Sequence, residues 1–127
     1  MTRINCGIPP KDLHSKHLIA EHREIKRIPN VIKSGRYSMK DQPKEFTLGT
    51  GHVKFFYDKL EFLKKRYVSL HSECLNRGFN VGNYIDAWDG IPDYLMNDYF
   101  PSYRDTKIVQ ERINEKLKNI NKWSTQK

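Results

Sequence analysis

His17, Glu21 and Glu24 fall at i, i+4 and i+7. On a helix of 3.6 residues per turn they share one stripe, with Arg23 and Arg27 an i, i+4 pair beside it. A carboxylate lined by cations suits proton transfer or the stabilisation of a positive centre. The same spacing, next to apolar Leu18, Ile25 and Ile32, also describes an ordinary solvated helix face, and periodicity does not choose between the two. Other chemistries lack their residues. His14, His17, His22, His52 and His71 show neither HExxH nor paired CxxC spacing, and His17 with Glu21 would be two ligands without a third. No metal site is therefore expected. Cys74 lies on an apolar stripe and Cys6 has no assignable base, which argues against a thiol nucleophile. No GxGxxG or Walker pattern calls for a nucleotide cofactor, and no cofactor of another kind is expected.

What remains is an amine. Thr2 follows Met1, and a small residue there permits removal of the methionine, exposing a threonine α-amine. Such an amine has a pKa of about 7.7 to 8.0, and neighbouring arginines would lower it by disfavouring another positive charge. Attack by an amine on an anomeric sugar carbon gives an imine, which acidifies the adjacent carbon and permits elimination of a phosphate. A carboxylate such as Glu24 serves both steps, first beside an oxocarbenium-like centre and then in proton transfer.

The elements that must position these groups read as helices. Residues 1 to 8 have no helical period and end in Gly7, Pro9 and Pro10, so an N-terminal arm is expected. A first helix should begin near Pro10 to Asp12 and run at least to Arg27, where Pro29 ends or kinks it. Residues 34 to 50 form a loop long enough to suggest a function. Phe56, Leu60, Leu63, Tyr67, Leu70 and Cys74 recur at steps of three and four and predict a second helix, closed by Gly78. Residues 80 to 104 carry four glycines and prolines among six aromatic rings, so short turns packed by their own aromatics are expected. A third helix starts near Asp105 or Thr106, burying Ile108 or Val109, Ile113, Leu117 and Ile120, with Arg112 and Lys116 an exposed basic pair. Trp123 and the tail follow it. Three main helices, two long loops and no alternating strand make one all-α domain over residues 1–127.

The chain's 127 residues suffice for a core without disulfides, and two cysteines fit a reducing cytosol. No apolar run approaches the roughly 18 to 20 residues of a membrane span. The net charge of +8 is unevenly spread: residues 83 to 105 hold five Asp against one Arg, between two basic segments. A generally basic surface would account for this, but with 12% aromatic residues it favours a polyanion partner, nucleic acid above all, with the acidic segment facing away.

Long motifs carry a further reading. Thr2-Arg3-Ile4-Asn5, the run from His17 through Ala20-Glu21-x-Arg23-Glu24 to Arg27, Gly49-x-Gly51-His52-Val53 with Phe55 to Leu63 and Lys65-Arg66, and Glu73-Cys74-Leu75-x-Arg77-Gly78-Phe79-Asn80 resemble the pyrimidine-dimer DNA glycosylase/AP lyase family. The resemblance implies an all-α, monomeric repair enzyme acting on damaged double-stranded DNA without cofactor, metal, membrane or obligate protein partner. It implies a cytoplasmic setting, the host cell's where the gene is phage-borne. It places the nucleophile on the Thr2 amine, the catalytic carboxylate on Glu24, phosphate contacts on Arg3, Arg23, Arg27, Arg112 and Lys116, and a matching histidine at His17. The chain departs from the family pattern at Lys16 and Tyr67, where glutamines are usual, and in Trp123-Ser124-Thr125-Gln126-Lys127, which replaces an aromatic-rich tail. Those departures leave one rival, a relative acting on another damaged base, and a retained Met1 would favour a second, a DNA-binding protein without catalysis.

Overall fold

The computed structural model describes the backbone of residues 2 to 125 and the side chains of residues 2 to 119. The arm is not a loose appendage. Thr2, Ile4, Asn5, Cys6 and Ile8 are all buried, which an irregular segment without period does not announce. At Gly7 the backbone is left-handed, with φ +83, and an added Cβ would lie 2.1 Å from Thr106 Oγ1. Only glycine lets the arm pass so close to the chain's last helix.

The expected single helix from Pro10 to Arg27 is three pieces. Pro10–Asp12 form a 3-10 turn that Leu13 ends in an extended conformation. The chain restarts as α1, Ser15–Glu24, where His14 Nδ1 accepts from the Lys16 amide at 3.1 Å. A second break, at Ile25 and Lys26, precedes α2, Arg27–Lys33. Pro29 does not end a helix but sits in the first turn of this one, where a missing N–H costs nothing. Ile25, Ile28 and Ile32 stay buried across the break, so the apolar face continues though the helix does not.

Residues 34 to 50 are irregular, as expected, and Phe46 pins them into the core. They lead to α3, His52–Phe55, capped by left-handed Gly51, where a Cβ would meet Pro43 Cγ at 2.7 Å. Four residues are too few to show a helical period, so this helix was not legible. α4, Leu60–Asn76, buries Leu60, Leu63, Tyr67, Leu70 and Cys74 on one stripe, while Phe56 lies buried in the turn before it. Gly78, at φ +80, terminates it, with the Phe79 amide donating to the Cys74 carbonyl at 3.0 Å.

Between residues 80 and 104 lie two 3-10 turns, Ile85–Trp88 and Asp93–Leu95. Trp88 is buried against the Tyr67 ring at 5.2 Å, and the Tyr99 hydroxyl donates to buried Asp105. Tyr94, Phe100 and Tyr103 are instead exposed, so the rings of this segment only partly pack on themselves. α5, Tyr103–Thr125, begins two to three residues early and continues past Trp123. Val109 and Ile113 are buried, with Ile108 and Leu117 packed at the core's margin. The expected burial of Ile120 falls outside the described side chains, as do Gln126 and Lys127 outside the described backbone. No strand occurs among the described residues, so the fold is all-α. None of their helices is long and apolar enough to cross a membrane.

α1 packs chiefly on α4, and the protein buries two histidines, one there and one on α3. His22 meets His71 at 3.1 Å between the rings of Tyr67 and Tyr84, and burial, with His71 and Lys26 nearby, pushes its pKa down to about 4. His52 is held down to about 4, chiefly by burial and further by the Arg112 and Arg3 cations, against the opposing pull of its bond to Thr47 and the Glu21 charge. Both imidazoles are neutral when folded, whereas the unfolded chain takes up their protons near pH 6.5. Stability should therefore be complete above that value and fall as pH drops from 6.5 toward 4. Urea unfolding at pH 8 and pH 5 should differ by about 1 to 2 kcal/mol per histidine. An unchanged midpoint over that range would overturn the assignment.

Candidate active site

A cavity of about 180 Å³ opens where the arm, α1 and α5 meet. α1 lines it with His17, Ala20, Glu21 and Glu24, which is the stripe that helical spacing requires, and Ala20 supplies the room. The arm adds Arg3 and Asn5, and α5 adds Arg112, Ile113 and Lys116. Helix spacing alone could not bring the two chain ends together.

The two carboxylates of the stripe divide sharply. Glu21 is a structural residue: its side chain is 1% exposed and accepts both Arg66 Nε and, at 3.0 Å, Arg66 Nη2. Asn5 Nδ2 donates to the same carboxylate at 2.9 Å, and Arg66 Nη1 reaches the Ile8 carbonyl at 2.9 Å. Glu24 is 12% exposed on the cavity wall. Arg23 approaches it at 3.3 Å and Arg27 at 4.0 Å, and both arginines keep more than half their side-chain surface in solvent.

Arg112 is not half of an exposed pair. Lys116 is exposed, but the Arg112 guanidinium turns inward, where Nη2 donates to Asn5 Oδ1 and Nη1 is buried with no partner among the described residues. Burial, and the nearby Arg3 cation, lower its pKa. Arg112 and Lys116 share one side of α5, but the bond to Asn5 draws Arg112 against the arm while Lys116 stays in water. His17 Nδ1 is likewise buried and unpartnered among the described residues. Burial, then the charges of His14, Arg112 and Lys116, lower the His17 pKa and keep the ring neutral.

Of the eight residues singled out from sequence, the cavity wall gathers Arg3, His17, Glu24, Arg112 and Lys116. Arg23 and Arg27 lie at its edge through their ion pairs with Glu24. Thr2 is buried in the arm beside Arg3 and is not itself part of the wall. Cys6 is buried too, and desolvation, with the Asp105 charge next, pushes its thiol up to about 12, which leaves no thiolate to react. Among the described residues no three of His, Cys, Asp and Glu converge in a group able to hold a metal ion. Sequence reasoning missed Asn5, Arg66 and His52, although all three stand inside the motifs that carry the resemblance. Each bonds to at least one segment distant in sequence, which no spacing reports.

Such a cavity, one half-buried carboxylate ringed by five cations, matches the demands of an anionic sugar-phosphate substrate. A family model described as pyrimidine dimer DNA glycosylase matches residues 1–86. The chain belongs to that family. The match takes in the arm, α1 to α4 and the wall residues Arg3, His17 and Glu24, and α5 lies beyond it. The protein is thus a DNA glycosylase of DNA repair, and DNA is its substrate.

Proposed function

We propose that this glycosylase cleaves the N-glycosidic bond of the 5′ base of a cyclobutane pyrimidine dimer and then nicks the strand as an AP lyase. In this reading Met1 is removed and the neutral Thr2 amine attacks C1′, forming a C–N bond as the bond to the base breaks with its electron pair. Loss of the amine proton and opening of the sugar ring leave an imine at C1′. A proton then leaves C2′, the 3′ phosphate departs by β-elimination, and water releases the amine. Glu24 stabilises the positive charge at C1′ and assists the proton transfers. Arg3, Arg23, Arg27, Arg112 and Lys116 hold phosphates, and neutral His17 offers a hydrogen bond at the cavity wall. The monomer suffices, since arm, α1 and α5 of one chain build the cavity.

The observation that carries this reading is Glu24 at the cavity wall between Arg23 and Arg27, with Arg3 and Arg112, whose Nη1 has no partner among the described residues, lining the same space. Borohydride reduces an imine to a stable amine, so it should trap the Met-free protein covalently on dimer-containing and abasic duplexes. Peptide mass mapping should place the adduct at Thr2. Absence of an adduct from protein whose Met1 is shown by mass to be gone would sink the proposal.

A further inference from the structure

Ile4, two residues beyond Thr2, is fully buried, so its amide must find an internal partner. It donates to Nε2 of His52 at 2.9 Å, across 48 positions of sequence. On the ring's other side Nδ1 faces the Thr47 carbonyl at 2.8 Å. A carbonyl only accepts, so Nδ1 carries the proton and Nε2 presents its lone pair to Ile4. Both contacts therefore select one neutral tautomer. The ring is 2% exposed and sits edge-on to Phe46 at 5.5 Å and Phe56 at 5.6 Å, which leaves it little freedom to turn.

We propose that His52 is a positioning residue of the glycosylase: through the Ile4 amide it fixes where the chain's second residue meets the cavity. The proposal rests on the Thr2 reading above. Two residues of chain span at most about 7 Å, so pinning Ile4 confines the Thr2 nitrogen to a small volume beside Arg3. Displacement of a reacting atom by 1 Å can cost on the order of 100-fold in rate. The arm has a second anchor just beyond, because the Asn5 side chain holds Glu21 and Arg112. Losing the His52 bond should accordingly loosen residues 2 to 4 while leaving Arg112 in place for phosphate. The irregular loop of residues 34 to 50 gains a role as well, since its Thr47 carbonyl orients the imidazole.

The test compares Met-free wild type with His52→Phe and His52→Gln for borohydride trapping at saturating abasic duplex, DNA affinity and thermal melting. Phenylalanine keeps the ring's packing and loses both bonds, whereas glutamine can accept from Ile4 and donate to Thr47. His52→Phe should trap at least about 10-fold more slowly with affinity within about twofold, and His52→Gln should return to within about threefold of wild type. Should His52→Phe not fold, His52→Asn takes its place, its shorter amide being unable to bridge Thr47 and Ile4. A folded His52→Phe that traps at the wild-type rate, or variants whose rates simply follow their melting temperatures, would overturn the inference. Wild type that traps equally well with Met1 retained would instead overturn the Thr2 reading, and this inference with it.

Discussion

Glu24→Gln is expected to slow DNA cleavage by about 1,000-fold or more, while DNA affinity holds or rises. Glutamine has nearly the same shape, so the cavity should persist, but it can neither stabilise a positive C1′ nor take a proton from C2′. Binding should not suffer, because Glu24 now neutralises part of the charge on Arg23 and Arg27 at 3.3 and 4.0 Å. Removing the carboxylate frees both guanidinium groups for phosphate. Single-turnover cleavage and fluorescence titration on one dimer-bearing duplex measure the two quantities. If rate and affinity fall together, Glu24 is a support for the fold rather than part of the chemistry.

Arg66→Ala is expected to cost about 3 to 5 kcal/mol of folding stability, the range found when one partner is stripped from a buried ion pair. The Glu21 carboxylate would lose both hydrogen bonds from Arg66 and keep only the one from Asn5, and the Ile8 carbonyl would lose its donor. An exposed ion pair such as Lys118 with Glu115, at 3.9 Å on α5, offers a contrast, where removal should change stability by less than about 1 kcal/mol. Combining Arg66→Met with Glu21→Gln should recover part of the loss, since no charge is then left stranded. Urea unfolding of the four proteins decides the matter. A change under about 1 kcal/mol for Arg66→Ala would mean that water or another cation reaches Glu21.

Much of the scaffold was legible because burial leaves a period. The stripe from Leu60 to Cys74 gave α4, and Gly78 gave its end by the conformation it alone adopts easily. The divisions within residues 10 to 33 were not legible, because the apolar positions Ile25, Ile28 and Ile32 run on through the break at Lys26. Proline misled there, since the same residue closes one helix or opens the next. The site's stripe on α1 was legible, but the opposed fates of Glu21 and Glu24 were not. What separates them is Arg66, 45 positions away, which claims one carboxylate and leaves the other to the cavity. The inward turn of Arg112 has the same cause, its partner Asn5 being 107 positions distant.

That last bond sets the order in which a working enzyme can come into being. A ribosome delivers the arm well before α5, so Asn5 must wait through 107 positions of chain before Arg112 reaches it. Until then the cavity lacks the wall formed by Arg112, Ile113 and Lys116. A nascent or prematurely ended chain therefore carries the glutamate and the arm without the surface that would seat them on a phosphate backbone. In the proposed reading, the residues for chemistry are made before the wall that would hold the DNA.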